Sequence, residues 1–414
     1  MPPSVPMQTA APAGVGRRWP SGAVLTALLL TIAILGLGTA CSLPLARRDR
    51  CAPAREQPII AAQVDLDYVY DPDRSQQKRN LALLLDRVRG LGITAVWLQA
   101  FADPDGDDVA QALYFPNHCL PMRADLFHGV AQALRRQGVA VYAWIPLLAF
   151  DPGPAYADLR VMSSRDRDQG RPGPGYRLSP FHPRARAMIR GIYRDLAAAG
   201  PMDGILFHDD GVLSDYEDSS PAALRVYRRA GFPGTIRAIH RDPALVRRWS
   251  RFKTKYLIDF SLSLLATVRE TRPGIRSARA LYALSVLQPK SEEWLAQSLP
   301  LYLQAYDYTV LLAMPFLENV ADPEQWLRKL ARQALARALY PQSLVFELQT
   351  VDWRQRRRIP GREIGRQIAL LRQQGALSFA YYPDDFFHDH PPRQVLEQAF
   401  AREDEHAGDG GRKP

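Results

Sequence analysis

The stretch Asp203-Gly204-Ile205-Leu206-Phe207-His208-Asp209-Asp210-Gly211 reads as a short apolar strand that runs into a histidine and two adjacent carboxylates. Three more acids, Asp215, Glu217 and Asp218, follow closely. Carboxylates and imidazoles are the side chains that move protons in general acid–base chemistry. An apolar strand that stops abruptly in such residues is how a β/α barrel builds its reactive rim. If Ile205, Phe207 and Asp209 share one face, Asp209 points inward and Asp210 starts the loop. An inward acid there can serve as a general acid if apolar neighbours raise its pKa. His208 fits a hydrogen-bonded support or a ligand contact.

Other segments deliver similar residues. In Val64-Asp65-Leu66-Asp67-Tyr68, strand alternation puts Asp65 and Asp67 on one face and the apolar residues on the other. Two inward carboxylates are costly unless used or paired, so both are candidate ligand contacts, with an ion pair to an inner arginine as the plain alternative. The next strand places Trp97, Gln99 and Phe101 on one face and runs into Asp103-Pro104-Asp105-Gly106-Asp107-Asp108. That acidic turn lacks the terminal glutamate and flanking helices of a calcium loop, so no metal is expected and Asp103 is assigned to a polar ligand-binding loop. Tyr142, Trp144 and Pro146 follow, fit either to stack on a sugar or to pack under a helix. Later come Glu347 and Gln349, then Asp352-Trp353, and last Ala380, Tyr382 and Asp384 on one face, beside Tyr381. Carboxylates ringed by aromatics suit carbohydrate: acids handle protons and hydroxyls, rings cover the C–H face of a pyranose.

The elements that must position these residues alternate. Strand patterns cover 60–70, 94–101, 140–148, 204–208, 277–284, 308–316, 343–349 and 377–382. Helical patterns fall between and after them, at 76–91, 125–137, 183–199, 221–230 with 243–271, 291–305, 323–339, 361–374 and 392–402. The economical architecture is α/β: a single (β/α)8 TIM barrel over 59–402, with an extended Pro/Gly-rich loop at 151–180 after the third strand. With 414 residues, 47% of them hydrophobic, the chain can bury such a core.

The first 40 residues read as an address. Arg17-Arg18 precedes an apolar run from Ala23 to Leu37 and then Gly38-Thr39-Ala40-Cys41. A basic segment, an apolar segment and small residues before a cut describe a bacterial secretory signal. The cysteine placed there predicts lipidation at Cys41, a membrane attachment by lipid or anchor, and residence on the periplasmic face of the envelope, at the outer membrane. Residues 41–58 read as a tether and 403–414 as a polar tail. Cys41, Cys51 and Cys119 form no CxxC or zinc pattern. The formal charge of +10 is spread over predicted helices, and no nucleic-acid motif accompanies it, so no nucleic-acid partner is expected.

Several phrases together resemble a known family: Val64-Asp-Leu-Asp-Tyr-Val-Tyr-Asp71, Leu98-Gln-Ala-Phe-Ala-Asp-Pro-Asp-Gly-Asp107, Gly204-Ile-Leu-Phe-His-Asp-Asp210, Leu213-Ser-Asp-Tyr-Glu-Asp218, Ala313-Met-Pro315 and Tyr381-Tyr-Pro-Asp384. Over roughly residues 59 to 395 the chain resembles the C-terminal glycoside hydrolase domain of PgaB-type poly-β-1,6-N-acetyl-D-glucosamine de-N-acetylases. The resemblance implies an endo-acting hydrolase of partly de-N-acetylated polymer, without a cofactor. It implies catalysis by Asp209, supported by Asp210, and sugar contacts at Trp353 and at Tyr382 or Tyr381. Asp65, Asp67, Asp103, His208, Glu347 and Asp384 complete the expected set. Family members usually carry an N-terminal deacetylase domain, for which the segment between Cys41 and the first strand leaves no room. The expectation is that a separate deacetylase, and export machinery, act beside this chain. The same residues also fit a non-catalytic polysaccharide-binding lipoprotein that assists export.

Overall fold

Residues 57–165 and 176–400 are described by the computed structural model. Cys41, Cys51, the predicted signal and the predicted tail lie outside them. Among the described residues, no helix is long and apolar enough to cross a membrane.

Eight strands form the core: β1 (Ile60–Val64), β2 (Ala95–Gln99), β3 (Ala140–Ile145), β4 (Gly204–Phe207), β5 (Arg276–Tyr282), β6 (Tyr308–Leu312), β7 (Leu344–Gln349) and β8 (Ser378–Tyr382). Each pairs in parallel with its sequence neighbours, and β8 closes on β1. The strands are buried almost throughout, since one face fills the barrel and the other meets helices. The outer layer comprises α1 (Arg74–Gly90), α2 (Phe127–Arg136), α3 (Pro183–Ala199), α4 (Pro243–Arg269), α5 (Leu299–Ala305), α6 (Pro323–Leu335), α7 (Gly361–Gln373) and α8 (Arg393–Phe400). Several start on a proline at the first helical position behind a capping side chain: His182 for α3, Asp242 for α4, Asp322 for α6. There the missing proline N–H costs nothing and the cap satisfies a free donor.

Three expectations are corrected. The first strand stops at Val64, and Asp65 instead precedes a one-turn helix, Leu66–Val69. The sixth strand ends at Leu312. The helix expected over 291–305 breaks at Ala296, which adopts a left-handed conformation, and resumes as α5.

Ring contacts and register fix which face points inward. Phe207 stacks on Tyr193 of α3, with centroids 5.8 Å apart, so it faces the helical layer. Leu206 and His208 therefore face the barrel interior, the reverse of the phase expected from sequence. In-register partners in a parallel sheet share a face. Leu206 aligns with Trp144 and Ala278; from there the inner face runs to Tyr282 on β5, Leu312 on β6, Glu347 and Gln349 on β7, and Tyr382 on β8. Toward the floor, the Tyr142 ring occupies the space a side chain at Gly204 would need: a Cβ there would lie 2.1 Å from it.

Candidate active site

At the C-terminal mouth the turn after β4 carries the central group. Asp209 lies with its Oδ1 3.1 Å from Nδ1 of His208. It also accepts a hydrogen bond from the Tyr282 hydroxyl, which comes from the inner face of β5. Asp209 thus reaches the mouth because β4 ends at Phe207 and the chain turns, not because of strand alternation. Burial opposes the charged form of His208, but the carboxylates of Asp209, Asp108, Asp210 and Asp103 outweigh it and raise its pKa.

Asp210 has a different task. Its carboxylate accepts the backbone N–H groups of Leu147, Leu148 and Ala149, at 2.8, 2.5 and 2.7 Å. It staples the β4 turn to the chain leaving β3, and both its oxygens are spoken for.

Glu347 is 3% exposed on the inner face of β7, and its Oε1 meets no hydrogen-bonding partner among the described residues. Burial first, and then the charge of Asp209, push its pKa up to about 8, so it keeps a proton at neutral pH. Asp65, also inward, accepts from the Tyr382 hydroxyl at 3.3 Å. Burial, helped by Asp67 and Asp103, raises its pKa well above the ordinary carboxylate range.

Aromatic rings wall this acidic floor. Trp144 lies edge-on to Tyr382, with centroids 5.5 Å apart, and 5.2 Å from both His208 and Phe101. Half-buried Trp353 lies 6.1 Å from Tyr382, its plane tilted by 33°. The aromatics of β3 therefore line the mouth (Trp144) and the floor (Tyr142), not the helical layer.

Three expected contacts are corrected. Asp67 lies beyond the strand and is bound into the loops: its carboxylate accepts the Tyr114 hydroxyl and the Asp103 N–H, at 2.5 and 2.9 Å. Tyr381 faces α1, and its hydroxyl donates to Asp384 at 3.0 Å. Asp384 is fully buried against Arg87 of α1 at 2.8 Å. Past the end of β8 alternation no longer applies, and the buried guanidinium draws the carboxylate away from the mouth. Of the two tyrosines, Tyr382 is the one that faces the site.

Asp103 folds its own loop, accepting the N–H groups of Asp107 and Asp108 at 3.0 Å each. Burial, then Asp108, raises its pKa to about 7. Carboxylate oxygens of Asp103, Asp105 and Asp107 come within 4.8 Å of one another, a spacing that could hold a cation. Asp108 and Tyr282 escaped the sequence reading. Asp108 keeps solvent contact at the rim, yet crowding in the mouth and the nearby Asp209 carry its pKa up to about 6 against the pull of His208. Tyr282 was within reach, since it ends the apolar run of β5; nothing in the sequence separates Asp108 from the other acids of its turn.

A β/α barrel with a carboxylate pair at its strand ends and an aromatic wall over them has the architecture of a glycoside hydrolase. The chain matches the family model described as hypothetical glycosyl hydrolase family 13 (GHL13) over residues 63–382, and it belongs to that family. It is similar to the PgaB (BpsB) glycoside hydrolase domain from Bordetella bronchiseptica, at 48% identity and a TM-score of 0.79, over 84% of this chain and 99% of that one. It is 42% identical over 354 residues to the poly-beta-1,6-N-acetyl-D-glucosamine N-deacetylase of Escherichia coli (strain K12), covering 84% of this chain and 53% of the relative. The chain thus spans about half the length of the curated relatives it matches. An alpha-L-fucosidase from Paenibacillus thiaminolyticus, at 13% identity and a TM-score of 0.54 over 82% of this chain and 48% of that one, shares the fold alone.

Proposed function

We propose that the chain is an endo-acting hydrolase of partly de-N-acetylated poly-β-1,6-N-acetyl-D-glucosamine, with Asp209 as the general acid on the leaving glycosidic oxygen. The observation that carries this reading is the placement of Asp209: at the end of β4, close to His208 and hydrogen-bonded by Tyr282, beside the protonated Glu347. Asp210 is committed to three backbone N–H groups and Asp67 to the loops, which leaves Glu347 as the best-placed second carboxyl. In this reading Asp209, in its protonated form, gives its proton to the leaving oxygen as the glycosidic bond breaks, and the neutral Glu347 beside it adds no competing negative charge. Water or the substrate's own acetamido group supplies the attack at the anomeric carbon.

The substrate class follows from charge and from the relatives. De-N-acetylated units carry ammonium groups, and the mouth gathers the carboxyl groups of Asp103, Asp108 and Asp209, while Glu347 and Asp65, held toward their neutral forms, add hydrogen-bonding groups instead of charge. Local potential governs capture, because the arginines of the outer helices are screened beyond about 10 Å at ~0.1 M salt. The polymer named for the Escherichia coli relative supplies the linkage. In this reading de-N-acetylation is left to a separate activity. The envelope location and the lipid at Cys41 belong to the same reading, supported by the Arg17-Arg18 segment, the apolar run and the small residues before Cys41.

The test is a panel of β-1,6-glucosamine polymers of graded acetylation, digested and sized by mass spectrometry. The reading predicts a ladder of internal fragments from partly acetylated polymer and none from an α-glucan. Release of a single small product would remove the endo assignment, and cleavage of the α-glucan the substrate assignment.

A further inference from the structure

Arg279 is a buried cation placed directly behind the catalytic turn. It lies on the outer face of β5, 1% exposed, with no carboxylate within salt-bridge distance among the described residues. Its Nη2 donates to the carbonyl of Gly211 at 3.1 Å, and its Nε reaches the Tyr302 hydroxyl of α5 at 3.5 Å. Gly211 has no side chain to spare for this approach. A Cβ there would sit 1.9 Å from the Arg279 Nη2 and 2.7 Å from Cδ2 of Leu147. One strand therefore grips the turn from both sides: Arg279 holds Gly211 from outside the barrel, and Tyr282 holds Asp209 from inside. Asp210, between them, is pinned to residues 147–149.

A guanidinium this deep is expensive to bury without an ion pair, so it needs a compensating use. Fixing the direction of a neighbouring carboxylate is such a use, because small displacements of a reacting group cost large factors in rate. We infer that Arg279 is a positioning residue: through the Gly211 carbonyl it sets where the Asp209 carboxylate points, and Gly211 is the glycine that lets it do so. The inference rests on the hydrolase reading only for its kinetic consequences.

Two variants of the whole chain test it. Gly211→Ala displaces the guanidinium without changing any charge; Arg279→Met removes the donor. Each is compared with wild type by thermal melting, by kcat and KM on partly acetylated polymer, and by NMR titration of His208. Both variants are expected to lose about tenfold or more in kcat, with KM held within about twofold. In Gly211→Ala, His208 is expected to titrate at lower pH than in wild type, as the Asp209 carboxylate swings away from its ring. That titration needs no turnover: if wild type cuts no polymer, the hydrolase reading fails while the His208 titration still decides the positioning role. An unchanged His208 titration in Gly211→Ala overturns the inference, as does a kcat loss no larger than the fraction of protein unfolded in the assay.

Discussion

Replacing Glu347 by glutamine tests the electrostatics of the mouth without altering shape. The wild-type carboxyl sits on the inner face of β7, and burial together with Asp209 raises its pKa from 4.5 to about 8. Below pH 4.5 the side chain is neutral both folded and unfolded, and its protonated form contributes its full share of stability. As the pH rises from 4.5 toward 8, the unfolded chain ionises Glu347 while the folded protein does not, so stability is lost; above 8 the loss levels off. A tenfold difference in proton affinity between the folded and unfolded chain is worth about 1.4 kcal/mol, so the whole loss is on the order of 5 kcal/mol. Glutamine does not titrate and escapes it. Urea unfolding of both chains at intervals from pH 4 to 9 should show equal stability at the acid end. The gap should widen in favour of Glu347→Gln through neutrality and then plateau. A pH-independent offset, or a gap favouring wild type at pH 8, would refute the placement of a protonated Glu347 beside Asp209.

Other perturbations separate structural from ligand-facing residues. Asp384→Ala strips the buried Arg87 of its main partner and should cost about 3 kcal/mol in urea unfolding, softened by Asp389, which keeps an ion pair to the same guanidinium. Its KM, measured where the variant stays folded, should match wild type. Trp353→Ala removes a half-buried ring beside Tyr382 and should raise KM severalfold, about 1 kcal/mol of lost stacking, with melting temperature little changed. Cys41→Ala should abolish incorporation of a clickable palmitate analogue in a bacterial host, read by in-gel fluorescence.

Much of the architecture was legible because its markers are local. The Asp-Pro and His-Pro pairs at residues 182–183, 242–243 and 322–323 state where helices begin, and the structure starts α3, α4 and α6 on those prolines. Strand ends were less legible. Apolar residues continue past them, as in Ala313-Met314-Pro315-Phe316 after β6, and carry no sign that pairing has stopped. The phase of β4 was misread for a related reason: Ile205, Leu206 and Phe207 are all apolar because both faces are buried, so alternation has no polar marker. Asp209 nonetheless reaches the mouth, because a turn brings it there whichever way the strand faces. Asp384 could not be understood locally, since the charge that claims it, Arg87, lies 297 residues away. Arg279 was equally hidden: its use depends on Gly211, 68 residues earlier.

The central claim, hydrolysis at Asp209, is tested most directly by incubating wild type and Asp209→Asn with partly de-N-acetylated poly-β-1,6-N-acetyl-D-glucosamine. Product length is read by mass spectrometry, and polymer binding is measured in parallel. The account predicts shortened oligomers from wild type, none from Asp209→Asn, and retained binding by both. Polymer bound but uncut by wild type would instead make this barrel a polysaccharide-binding module, and full activity in Asp209→Asn would move the acid elsewhere.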